Sequence, residues 1–135
     1  MVDSVKHLDY IQAAIARMAS NAFTIKGWSI TITTAVIGVA SKSGDEAFAM
    51  VGALPVMLFW GLDAYYLSLE RRFRQLFSLV AERIANDERA VFNMSPGPVG
   101  PRELVSAVVR PTQLLVHGPL LLAVFGVALV GALRP

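Results

Sequence analysis

An all-α integral membrane fold, with three transmembrane helices of which the first two form a long antiparallel hairpin, is predicted by three features of this 135-residue sequence. Hydrophobic residues make up 55% of the chain and charged residues 16%, whereas a soluble domain carries about 25% charge. Three stretches, 22–41, 47–67 and 112–133, each supply the roughly 20 mostly apolar residues that a bilayer crossing requires. The cations are also segregated. With the N-terminus inside, Lys6, Arg17, Arg71, Arg72, Arg74, Arg83, Arg89, Arg102 and Arg110 fall on the inner side, against Lys42 and Arg134 outside. Such a bias sets orientation, with the N-terminus cytoplasmic and the C-terminus outside. The pI near 9.3 therefore reads as a topology signal, and nucleic acid is not an expected partner.

One membrane domain, 1–135, accounts for the whole chain. Its first element is an amphipathic helix over 4–41 that continues into span 1. Leu8, Ile11, Ile15, Met18, Ala22 and Ile25 alternate three and four apart, the spacing of a coiled-coil seam. Gly38-Val39-Ala40 offers small residues to a signal peptidase, but the full helix before it and the span directly after it favour retention. "SKSGDE" predicts a short outer turn. The second element, 47–86, is span 2 continuing into a cytoplasmic helix, with a kink expected at Pro55. Beyond the bilayer its apolar stripe passes through Leu69, Phe73, Leu76, Val80 and Ile84, so Leu8, Ile11, Ile15, Met18, Phe73, Leu76 and Val80 form a predicted cytoplasmic seam. Residues 87–111 are a proline- and glycine-rich connector in which "ELVSAVVR" forms a short interfacial helix, and span 3 covers 112–133.

Each span contains one ionisable residue, and an isolated charge at the bilayer centre costs about 2.5–3.5 kcal/mol. Lys26 and Asp63 are nearly equidistant from the outer turn, so an antiparallel hairpin sets them at one level near the inner face and pairs them. Three readings remain open: a structural bridge that fixes register, part of a polar ring lining a pathway in an oligomer, or a lysine that snorkels to the headgroups. His117 enters a possible polar layer at a similar depth, either bonding a carbonyl freed near Pro119 or sensing protons. Trp28, Tyr65 and Tyr66 have the amphipathic character of interface aromatics, and Trp60 is read in the same way. Thr31, Thr34, Ala35 and Gly38 in span 1, and Gly118, Ala123, Gly126, Gly131 and Ala128/Ala132 in span 3, are small residues that allow close helix packing. Stripes on several faces predict a homo-oligomer.

No cysteine is present, which excludes disulfides and thiol catalysis. His7 and His117 are too few for a metal site, and no nucleophile–base arrangement or phosphate loop occurs. Neither an enzyme nor a cofactor is expected. The stretches "RMASNAFTIKGWSIT" and "FWGLDAYYLSLERRFRQLF" resemble a family of short, largely uncharacterised bacterial inner-membrane proteins. The resemblance rests on Lys26, Gly27, Trp28, Asp63, Tyr65, Tyr66, Glu70 and Arg71 and covers residues 6–77. The architecture is also similar to small membrane effectors of antiviral defence. This implies an oligomeric inner-membrane protein that forms or gates a pore as a membrane-perturbing defence or stress effector, with a soluble cytoplasmic signalling partner. The alternative is a membrane anchor whose cytoplasmic hairpin docks a soluble protein.

Overall fold

The computed structural model describes residues 2–86 and 92–133, and the side chains from Ser4 onward within them. Arg89, Arg134 and the start of the connector lie outside the described residues. Helix α1, Val2–Ser43, runs for 42 residues, about 63 Å at 1.5 Å per residue. No proline interrupts it, and a Cβ at Gly27 or Gly38 would meet nothing, so each glycine costs it only propensity. It stops where Gly44 takes φ +69, a left-handed conformation that favours glycine, and the Gly44 N–H closes onto the Ala40 carbonyl at 2.9 Å. Asp45 then caps the next helix by accepting the Phe48 N–H at 3.1 Å.

The second long element runs over Glu46–Ala85, with one interruption at Gly52 that separates α2, Glu46–Val51, from α3, Ala53–Ala85. Pro55 is the reason: it has no N–H for the Val51 carbonyl, so its disruption falls one turn before the proline itself. Gly52 is also a packing point. A Cβ there would lie 3.1 Å from Val36 Cγ1 and 3.4 Å from Val124 Cγ2, so three helical segments converge on a residue without a side chain.

α1 and α3 pack along their length as an antiparallel pair. Toward the turn, Ala40 of α1 and Ala49 of α2 cluster with Ala128. At the opposite end Ile11, Ile15 and Val80 form a core against which Leu8, Phe73, Leu76, Phe77 and Ile84 pack. The chain between α3 and the next helix returns to this end. His7 Nε2 lies 2.9 Å from the Asn93 carbonyl, its ring is 4.5 Å from Phe92, and Met94 joins the core.

α4, Pro101–Val108, begins two residues before the expected "ELVSAVVR" because Pro101 suits the first helical position. Glu103 fastens it: Oε2 accepts the Gly100 N–H at 3.1 Å and the Arg72 Nε and Nη2 donors at 2.9 and 2.8 Å. These bonds, the Arg72 one foremost, hold the Glu103 carboxyl below the usual carboxylate range. A lowered folded pKa stabilises above the unfolded value, near pH 4.3, and that contribution is lost as pH falls through the folded value. Acidification to about pH 3 is therefore expected to lower the protection factors of the α4 amides, measured by mass spectrometry against the intrinsic exchange rate at each pH, and Glu103→Gln should lower them already at neutral pH. α5, Pro111–Ala132, spans about 33 Å and completes a bundle with α1 and α3.

Candidate functional site

Where α1, α3 and α5 meet, the apolar packing gives way to a polar layer. α1 supplies Lys26, Ser29 and Thr33, three and four residues apart and therefore on one face. α3 supplies Trp60 and Asp63, also one turn apart, and α5 supplies Gln113 and His117. Ser29, Thr33, Asp63, Gln113 and His117 are all fully buried, at 0% exposure.

The Lys26 Nζ donates to Asp63 Oδ1 at 2.6 Å and lies equally close to Oδ2, which has no other donor. The Lys26 side chain keeps 24% of its surface exposed while Asp63 keeps none. The pair is thus open at the lysine end and closed at the carboxylate end. Trp60 stands beside it. Its indole N–H donates to the Val108 carbonyl at 3.0 Å, joining α3 to the end of α4, and its ring stacks on His117 at 5.6 Å and 8°.

His117 Nδ1 lies 3.2 Å from the Gln113 carbonyl one turn earlier. This corrects the expectation that the ring bonds a carbonyl freed near Pro119. That proline frees the Leu115 carbonyl, whereas the imidazole is directed back to Gln113, where Trp60 covers its face. A carbonyl can only accept, so Nδ1 carries the hydrogen and Nε2 presents a lone pair. That Nε2 has no protein partner, nor do the Gln113 amide atoms, Ser29 Oγ or Thr33 Oγ1. The layer can hold a charge pair, accept a proton and bind water. No group of three or more histidines or acids that could hold a metal occurs among the described residues.

Other sites expected from the sequence fall elsewhere. Leu8, Ile11, Ile15, Phe73, Leu76 and Val80 come together, while Met18 is half-buried outside that core. Trp28 and Tyr65 are exposed at the level of the ion pair, and Tyr66 packs edge-on against Tyr65. Thr31, Ala35, Gly38 and Gly126 face outward and Gly118 is half-buried. Among the small residues expected to pack, Ala128 is buried and Gly131 touches the turn between α1 and α2, where its added Cβ would lie 3.2 Å from the Gly44 carbonyl. Sequence reasoning missed Ser29, Thr33, Gln113 and the role of Trp60. A signal was present: each lies three, four or seven residues from Lys26, Asp63 or His117.

The fold defines an all-helical protein with three helices long and apolar enough to cross a membrane, Ser4–Ser43, Glu46–Ala85 and Pro111–Ala132. Compared with known protein families, curated proteins and solved structures, the chain matches none.

Proposed function

We propose that the chain is an integral protein of the bacterial inner membrane, N-terminus cytoplasmic, that self-associates into an assembly forming or gating a pore. A membrane-perturbing role in defence or stress suits that activity. The observation carrying this reading is the outward face of α1. Thr31, Thr34, Ala35 and Gly38 are all exposed, so a small, hydroxyl-bearing strip along a candidate span is left uncovered by α3 and α5. Lipid tails gain little from such a strip, whereas a second helix can approach closely and bond to its hydroxyls.

Purified protein in liposomes loaded with a small fluorescent dye is expected to release it as a complex larger than one chain, with mass read by light scattering. Thr31→Leu with Gly38→Leu should reduce both the mass and the release. A monomer that releases nothing would overturn the pore reading. The anchor reading would then gain from the exposed Val5, Tyr10, Leu79 and Phe92 at the far end of the hairpin, which suit a docked soluble protein.

Orientation has its own test, simplified by the absence of native cysteine. Cysteine at Ser43 should react with an impermeant maleimide in intact cells, and cysteine at Ser95 should react only after lysis. The opposite pattern would reverse the topology.

A further inference from the structure

We infer that the polar layer is a hydrated proton-binding site, with His117 Nε2 as the atom that takes the proton. The tautomer comes first. Because Nδ1 is committed as a donor to the Gln113 carbonyl, the neutral ring's only lone pair is on Nε2, which is buried with no protein donor. Buried polar atoms in native proteins are bonded to protein or ordered water in about nine cases of ten. Here five such atoms on four side chains lack a protein partner: Ser29 Oγ, Thr33 Oγ1, Gln113 Oε1 and Nε2, and His117 Nε2. They include hydroxyl and amide donors together with carbonyl and imidazole acceptors, which is the mixture that water satisfies and an apolar ligand does not.

Two charged groups of opposite sign flank the ring. The charged groups that face it are Asp63 from α3 and Lys26 from α1, while α4 contributes only the Val108 carbonyl, already engaged by Trp60. A proton arriving through water forms an N–H bond at Nε2 and leaves neutral water behind. Asp63 remains a carboxylate and Lys26 an ammonium, so the layer gains one positive charge. Trp60 offers its ring face to that charge, since a cation over an indole is attracted by its quadrupole. Asp63 stays bonded to Lys26, whose side chain is 24% exposed. This inference does not depend on pore activity.

The test is nitrogen NMR of protein labelled with ¹⁵N-histidine, in phosphatidylcholine nanodiscs, with His7→Asn removing the second signal. Between about pH 5 and 8, the range in which histidine normally titrates, His117 should pass in one step from the Nδ1–H tautomer to imidazolium. Lys26→Met should raise the midpoint and Asp63→Asn should lower it, each by about tenfold in proton affinity, or one pH unit. Trp60 fluorescence in a Trp28→Phe chain gives a second measurement that needs no change to the ion pair. Its emission should fall on acidification, and the fall should vanish in His117→Gln. A ring that stays neutral throughout, one that starts as the Nε2–H tautomer, or a Trp60 response that persists without His117 would each overturn the assignment.

Discussion

Asp63→Ala and Lys26→Ala are each expected to destabilise the detergent-purified protein strongly, while the double variant is milder than either. Removing one member of a buried ion pair typically costs about 3–5 kcal/mol, because the partner is left charged without compensation. The two singles should also differ. Lys26→Ala leaves a fully buried carboxylate, whereas Asp63→Ala leaves an ammonium on a flexible stem that is already 24% exposed and can reach the headgroups. The expected order of melting temperatures is therefore wild type, double variant, Asp63→Ala and Lys26→Ala, from highest to lowest. Dye release separates the remaining alternatives. Recovery of both stability and release in the double variant identifies a bridge that fixes register. Recovery of stability alone places the charges on a pathway. Additive losses in melting temperature would mean that the pair is not energetically coupled.

An aspartate at Ile11 is expected to unfold the far end of the hairpin. Ile11 is fully buried against Ile15 and Val80, and an unpaired carboxylate there must either lose its hydration or remain protonated. Burying even a neutral polar group without a partner costs roughly 2–7 kcal/mol. Phe73→Asp should be milder, because Phe73 is only partly buried at the margin of that core. Limited proteolysis provides the measurement: cleavage between about residues 5 and 20 should be fast in Ile11→Asp, intermediate in Phe73→Asp and slow in the wild type. Equal resistance in all three would show that the seam contributes little to holding the hairpin end together.

The long elements were legible because hydrophobic periodicity and span length act locally along the chain. The three-and-four spacing from Leu8 to Ile25 and the apolar run from 112 to 133 indicate helix without reference to any neighbour. The juxtaposition of Lys26 and Asp63 was legible for a different reason: a short turn fixes the register of two helices, and equal distance from the turn then means equal depth. The kink expected at Pro55 falls one turn earlier, at Gly52, because a proline acts on the carbonyl four residues before it. Ser29, Thr33 and Gln113 escaped notice because uncharged polar residues are common in spans, and only the packing of three helices shows that these turn inward together. Trp60 shows the same limit. Its composition suits an interface, but its position one turn from Asp63 brings it against His117.

The uninterrupted course of α1 has a mechanical consequence. α1 continues without a break past the level of Gly52, where the antiparallel helix is interrupted, so bending is expected to concentrate in that partner. On α1 the Lys26 contact lies near the midpoint. Ile11 lies roughly 22 Å along the axis on one side of that contact and Ala40 roughly 21 Å on the other, so the two arms are nearly equal. If α1 pivots at Lys26, a sideways push on the hairpin end is expected at the Gly44 turn with similar amplitude and opposite sense. Spin labels on the two arms, each measured against α5, should register these opposed displacements, and a push that dissipated before reaching Ala40 would show that the rod bends.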